Sequence, residues 1–360
     1  MDRQKPGLAT LVRAGPFLFT AGCDGHRDRD TGKVRPELAG AAEAQCENAY
    51  GRIQDLLAAA GVGMEAVVRL DHVTSSQDWL ARRQTVRQKY FGRPAPLAST
   101  GIAARMAGIN MLTASAIAMA DPRDKAVLVS GPKYGMNNIS SAVRGGPLLF
   151  LSGLRGHVDP RTGKTVEEET PNAFEAQTRL CHGLLQAILD EADIDVSRVL
   201  RIDNYIRERR CADKAAALVD ECLGGAARAV TTIALPLGAR GEVELTALAA
   251  FGTGQIRRVA PGVVSACGFH FIGQTFAPDT GRGDAESELL GALTVLERRL
   301  AQAGSTLESL VRLEIYLDDI YFAIPALDIL SSRLQPNPPA VCVMGADLGC
   351  AQAMLVAIAV

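Results

Sequence analysis

The sequence predicts an α+β fold of three tandem modules, each ordered ββαβαββ, closed into an intramolecular pseudo-trimer with sheets inward and helices outward. Three repeated features predict it. The first is a strand and turn, read as GPFLFTAGCDGHRDRDTGK from Gly15, GPLLFLSGLRGHVDPRTGK from Gly146 and GFHFIGQTFAPDTGR from Gly268. In each, alternating apolar residues give a strand and an Asp/Thr-Gly pair gives a turn. Gly22, Gly153 and Gly273 hold equivalent places in this motif. The second feature is a helix end and the strand after it, LLAAAGVGMEAVVRLDHVTS, ILDEADIDVSRVLRIDNYIR and RLAQAGSTLESLVRLEIYLDD, which aligns Arg69, Arg201 and Arg312. The third is a closing apolar strand, ASAIAMA, LTALAAF or MLVAIAV. Self-similarity of this kind marks one structural unit used several times.

The elements follow in order. Between the first two features an amphipathic helix is expected. Ala49, Ile53, Leu56, Leu57 and Ala60 in the first copy, and Leu289, Leu293, Leu296, Leu300 and Ala303 in the third, fall three and four residues apart and share one face. Gly61 and Gly304 stand where a helix C-terminal cap belongs. A strand such as VVRLDHVTS comes next, then a second helix from Trp79 to Phe91 with Asp78 as its expected N-cap. Two strands close the unit. Polar linkers, DPRDKA from Asp121 and GTGQIRR from Gly252, divide the chain into domains at 1–122, 123–252 and 253–360. Two helices cover only one face of each sheet, so the other face is expected to be buried against the other two copies. One chain would then do what three subunits do in a homotrimer.

Composition narrows the class of function. The chain has 360 residues, 48% hydrophobic and 22% charged, with 38 basic against 40 acidic side chains. Scattered, matched charge does not make the basic stripe that a nucleic-acid binder needs, so nucleic acid is set aside as a partner. The N-terminus MDRQKPGLATLVRAG does not read as a signal peptide. No run of about eighteen apolar residues offers a membrane span, so a cytoplasmic protein without a membrane partner is expected. The eight cysteines are dispersed, with no CxxC and no zinc-like spacing, which fits reduced thiols and implies no metal and no cofactor. The glycines of GLRGHVDPRTG have no following helix and make no phosphate loop.

At these motifs the sequence resembles the Rid family, also called YjgF or reactive-intermediate deaminases, whose subunits have a chorismate-mutase-like fold. The resemblance rests on the LFLSG…DPRTGK opening, the helix exit ending VVRL, and the PAVCV or AARAV strand before ELTALA, and it covers nearly the whole chain three times. It implies clefts between adjacent units and hydrolysis of a small carboxylate-bearing imine, enamine or related C–N substrate to a carbonyl compound and ammonia. It also implies a strand Arg that binds the substrate carboxylate and a Glu on the last strand near the water. Arg228 falls on that Arg and Glu244 on that Glu, as the catalytic pair. In the first copy the same positions read Ala98 and Thr113, and in the third Val341 and Met354, so one deaminase-like site out of three is expected. The second copy departs from the family at Ile139, in place of a Tyr, and at Val230, in place of a Cys.

A guanidinium suits carboxylate binding because its fork pairs bidentately, and a carboxylate beside it can orient water or accept its proton. The same Arg and Glu on neighbouring strands also fit a plain cross-strand pair. Asn138 and Ser140, within the polar run NNISS, are candidate substrate-binding residues, together with Arg155 and with Tyr134 as a shifted aromatic hydroxyl. His26 and His157 occupy equivalent places after the turn glycine, which points to a common ancestor more than to a shared task, and they read as turn-stabilising or solvated residues ahead of catalytic ones. Two other readings stay open: an enzyme diverged toward another small carboxylate or a cyclic amide, such as a chorismatase-like or ring-opening hydrolase, and a non-catalytic ligand-binding or scaffold protein. A fused pseudo-trimer satisfies its threefold contacts internally, so a monomer or a homodimer of pseudo-trimers is expected.

Overall fold

The computed structural model describes residues 8–166, 172–226, 228–238, 241–278 and 283–360. The first sheet is built from β1 (Leu11–Ala14), β2 (Phe17–Thr20), β3 (Cys23–Asp24), β4 (Val67–Thr74), β5 (Ala98–Ala103) and β6 (Leu112–Met119), and carries helices α1 (Ala42–Ala59) and α2 (Gln77–Phe91). The second contains β7 (Lys125–Val129), β8 (Ala142–Gly145), β9 (Leu148–Leu151), β10 (Leu154–Arg155), β11 (Val199–Ile206), β12 (Ala229–Ala234) and β13 (Val243–Ala250), with α3 (Ala173–Glu191) and α4 (Ala212–Leu223). The third contains β14 (Ile256–Ala260), β15 (Val263–Ala266), β16 (Phe269–Thr275), β17 (Leu310–Leu317), β18 (Ala340–Gly345) and β19 (Ala353–Ala359), with α5 (Ala285–Ala303) and α6 (Ala323–Arg333).

The three sheets share one topology. The long middle strand (β4, β11 or β17) pairs in parallel with the strand after the second helix and antiparallel with the closing strand. The strand after the second helix is therefore an edge strand in every sheet. Turn chemistry follows the sequence: Gly32 and Gly163 in the first two Thr-Gly turns adopt φ of 70° and 72°, the left-handed region open to glycine. The third turn, at 279–281, lies outside the described residues. Gly304 caps α5 in the left-handed conformation, as expected. The expected cap at Asp78 is displaced: α2 begins at Gln77, its N-cap is Ser76, and Asp78 lies in the first turn.

Alternation sorts the core into layers. On one face of each sheet the residues pack against that module's helices, giving three outer cores around Leu184, Leu185 and Ile188, around Leu293, Leu296 and Leu300, and around Tyr50, Ile53 and Leu57. The opposite faces meet around the pseudo-threefold axis, so the sheets lie inward and the helices outward. One inner layer joins Phe17, Phe150 and Phe269, one ring from each module, with centroids of Phe17 to Phe150 and Phe269 at 5.9 and 5.6 Å in edge-on contact. Such pairs stabilise by about 0.5–1.5 kcal/mol each beyond their area. A second inner layer stacks Ile102, Ile233 and Met344 with Tyr205 and Tyr316.

Between the two layers lies a belt of charge from the three aligned arginines. Arg201 donates from Nε to Asp203 at 2.9 Å and from Nη2 to Glu314 at 2.5 Å; Arg312 donates to Glu314 at 2.8 Å and approaches Asp71 at 3.5 Å; Arg69 pairs with Asp71 at 2.9 Å. Burial pushes the Glu314 carboxyl up, but the Arg201 and Arg312 guanidiniums outweigh it and hold the group at about 2. The belt borders an axial cavity of about 60 Å³, enough for a few waters. Its contacts join all three modules, Arg201 to Glu314, Arg312 to Asp71 and Arg69 to Thr246.

Candidate active site at the seam between the first and second modules

Strand register decides which residues are equivalent. Arg69, Arg201 and Arg312 stand opposite Ala98, Ala229 and Ala340, and all three alanines pack in the same inner layer. Arg228 is therefore one residue too early to match Ala98, and Val341 one too late. A shift of one residue turns a strand side chain to the other face of its sheet. Arg228 accordingly leaves the inner face: its guanidinium donates to the carbonyls of Leu223 and Gly224 at 2.8 Å and of Ala226 at 2.9 Å, closing the end of α4. Glu244 belongs to the inner face, since Val243 and Leu245 on either side of it pack in the outer core. The two strands are not neighbours either, because β11 lies between β12 and β13. Arg228 is level with Leu200 of β11 and Glu244 with Tyr205, about 16 Å further along at ~3.3 Å per residue. The structure thus separates the expected catalytic pair.

Glu244 has a different partner. The two-residue strand β10 runs antiparallel to β13 and places Arg155 directly opposite Glu244, with Arg155 Nε donating to Glu244 Oε2 at 2.8 Å. The Glu244 side chain is 7% exposed and that of Arg155 46%, so the carboxylate is sunk and the guanidinium reaches solvent. The charge on Glu244 raises the Arg155 pKa further against the opposing effect of burial. No other hydrogen bond engages the Arg155 fork among the described residues, which leaves both Nη groups open. Gly153 makes the arrangement sterically feasible: a Cβ there would lie 2.3 Å from Glu244 Oε1. Arg155 and Glu244 line a cavity of about 250 Å³ with His157, Leu237, Gly238, Gly241 and Val243.

The first module completes this seam. Gly153 N donates to Ser99 O at 3.1 Å, Ser99 N donates to Ser152 Oγ at 2.8 Å, and Gln77 Nε2 on α2 donates to Pro236 O at 2.6 Å. Ser140 and Asn138 serve the same seam from beneath. Ser140 Oγ donates to Ala95 O at 3.3 Å and its carbonyl accepts from Ser152 Oγ at 2.7 Å, while Asn138 Nδ2 donates to Gln84 Oε1 at 2.7 Å. These contacts join two modules, and neither residue borders the Arg155–Glu244 cavity. Tyr134 is also displaced from its expected role. Its hydroxyl proton is shared between Ala187 O at 3.1 Å and Glu191 Oε2 at 3.0 Å, which holds it against α3 in the outer core.

Sequence reasoning passed over a second group of cations. Arg83 and Arg87 on α2 face the buried Tyr50, whose hydroxyl lies 2.5 Å from His72 Nε2. A spacing of four on one helix was the available signal, since it puts both guanidiniums on one face. Among the described residues no group of His, Cys, Asp and Glu is arranged to hold a metal ion, and no helix is long and apolar enough to cross a membrane.

Known structures match this architecture. A chorismatase aligns over 82% of this chain and 93% of its own, at 14% identity and a TM-score of 0.53. The Rid-family protein YyfA from Yersinia pestis aligns over 35% of this chain and 98% of its own, at 21% identity and a TM-score of 0.32. A YjgF-family protein from Neisseria meningitidis covers 29% of this chain and 94% of its own, at 23% identity and a TM-score of 0.27. No family model and no curated protein matches the chain. The chain carries a Rid-like fold as three tandem units.

Proposed function

We propose that the protein is a Rid-type hydrolase that deaminates a small carboxylate-bearing imine or enamine in the cleft between its first and second modules. The observation that carries this reading is the Arg155–Glu244 pair, an open guanidinium fork beside a sunken carboxylate on the wall of a cavity. Arg155 binds the substrate carboxylate through its Nη groups, a bidentate task that a Lys could not match. Glu244, its Oε2 held by Arg155, uses Oε1 toward the substrate side of Gly153.

The chemistry balances without a further reactant. Water adds through oxygen to the carbon of C=N while Glu244 takes one water proton and passes it to the imine nitrogen, giving a neutral carbinolamine. Glu244 then takes the hydroxyl proton and delivers it to that nitrogen as the C–N bond breaks and C=O forms, which frees ammonia and returns Glu244 to its carboxylate. One imine and one water become one carbonyl compound and one ammonia. Positioning of water and substrate supplies most of the acceleration, and proton transfer by a placed carboxylate about 10²–10⁴-fold.

The test is ammonia release from 2-imino acids generated in situ. Wild-type protein is expected to accelerate it, with Glu244→Gln and Arg155→Gln each abolishing most of the gain; unchanged release in both variants would overturn the assignment. The likeness to a chorismatase over 82% of this chain supports a second reading, in which the same cleft acts on another small carboxylate. A carbonyl product formed without ammonia would favour it. Self-association as a monomer or dimer of pseudo-trimers is part of the proposal and is read by light scattering.

A further inference from the structure

The seam that holds Glu244 carries more positive charge than the chain itself compensates. Arg83 is half-buried, with Nη1 donating to Leu80 O on its own helix at 3.1 Å and Nε without a partner. Arg87 is 3% exposed; its Nη2 reaches Asn138 O only at 3.5 Å and its Nε also has no partner. Neither forms an ion pair among the described residues. The groups that face them are neutral: burial pushes the Cys46 thiol up to about 12, raises the Tyr50 phenol and depresses His72. Together with Arg155, three guanidiniums stand against one carboxylate, Glu244. A buried cation without a counter-ion costs several kcal/mol, so such an excess is retained where an anion relieves it.

Two glycines aim these groups across the seam. A Cβ on Gly101 of β5 would lie 2.2 Å from Arg83 Nη2, and a Cβ on Gly153 would lie 2.3 Å from Glu244 Oε1. Ser99, two residues before Gly101, accepts the Gly153 amide at 3.1 Å, so the two glycine shelves flank one inter-module contact. The Arg83 guanidinium senses the charges of both Glu244 and Arg155 across it. In the second and third modules the position of Gly101 is taken by Thr232 and Val343, counted from Ala229 and Ala340. Neither offers such a shelf, so the arrangement occurs at one seam.

We propose that the seam beside this cavity is a dicarboxylate site, in which Arg155 on the cavity wall binds one carboxylate of the ligand and Arg83, across the Ser99–Gly153 contact and supported by Arg87, binds the second. The inference rests on the cleft assigned above and adds the ligand class: a four- or five-carbon acid with an anionic group at each end. The test is calorimetric titration of the full chain with succinate, glutarate and butyrate. Wild-type protein is expected to bind the better dicarboxylate at least about tenfold more tightly than butyrate, a discrimination that one added charge-assisted bidentate contact supplies. Arg83→Gln should remove that preference while leaving butyrate binding within about twofold, and Arg155→Gln should weaken all three ligands. Gly101→Ala, which displaces Arg83 without deleting its charge, should reproduce the Arg83→Gln pattern.

Equal affinity of the wild type for succinate, glutarate and butyrate, no binding of any of them, or a dicarboxylate preference that survives Arg83→Gln would each overturn the proposal. The hydrolase reading fails separately. Dicarboxylate binding without ammonia release sinks the reaction and leaves the site, whereas release with no preference for acidic over neutral imino acids sinks the site and leaves the reaction.

Discussion

The seam positions of the first and second modules have the same backbone and opposite chemistry. In the second module Arg155 on β10 faces Glu244 on β13; in the first, Asp24 on β3 faces Thr113 on β6 in the same register. Asp24 Oδ1 accepts from Thr113 Oγ1 at 2.6 Å and from Asn110 Nδ2 at 3.0 Å, so that acid is already satisfied. In the third module the place of Glu244 falls to Met354, opposite Tyr316, and it is fully buried in the inner core. A two-residue strand beside the closing strand thus creates a position for a facing pair, and the side chains decide whether it holds an open ion pair, a self-satisfied acid or packed core. Among the described residues only the second module combines an open cation with a carboxylate at this position.

That contrast can be broken most directly at Glu244. Glu244→Gln is expected to lower kcat for imine hydrolysis roughly a hundredfold to ten-thousandfold, read as ammonia release, with little loss of secondary structure. Thr113→Glu in the first module should create no second site, because Asp24 opposite it adds a like charge instead of a cation; doubled turnover would refute the comparison.

A second effect of similar energy comes from pH. The helix position occupied by Tyr50 and Leu293 in the other modules is His182 in α3, as the equivalent backbone anchors at Gln45, Gln177 and Glu288 show. Burial, then the charges of Arg228 and Arg179, lower the His182 pKa to about 4. Its unfolded value is about 6.5, so between those limits the unfolded chain binds the extra proton and stability falls as the medium is acidified from pH 7 to 4, by about 3 kcal/mol. Urea unfolding across that range should show the slope, and His182→Leu should flatten part of it. An identical pH profile in that variant would remove His182 as the cause.

Smaller effects sharpen the comparison. Arg228→Met is expected to cost about 1–3 kcal/mol by leaving the carbonyls at the end of α4 unpaired, lowering Tm while ammonia release at 25 °C stays unchanged. Turnover lost in proportion to that seen for Arg155→Gln would instead return Arg228 to the site. Gly153→Ala should reduce turnover through the 2.3 Å clash with Oε1, whereas Gly22→Ala, whose nearest neighbour is a Thr113 methyl at 2.9 Å, should cost about 1 kcal/mol of stability and no activity.

The repeat was legible because its signals are local. Alternating apolar residues, the Thr-Gly turns and the helix faces each repeat with their own period, and the chain folds accordingly. Glu244 and Arg155 were legible as candidates, and so were the equivalences of Gly22, Gly153 and Gly273. Arg228 misled, because a strand has period two and counting back from a motif across a loop loses that phase. Arg83 was hidden for a different reason: nothing on α2 signals that its guanidinium rests on Gly101 at a module boundary.

The sequence by itself determined three ββαβαββ units and the layering of each, since hydrophobic periodicity acts within a few residues of chain. Tertiary structure alone decided which guanidinium meets Glu244, because that depends on strand register and on the packing of edge strand β5 against β9 and β10 of the next module. Such contacts join residues about fifty to ninety positions apart, and no local pattern encodes the side to which each side chain turns.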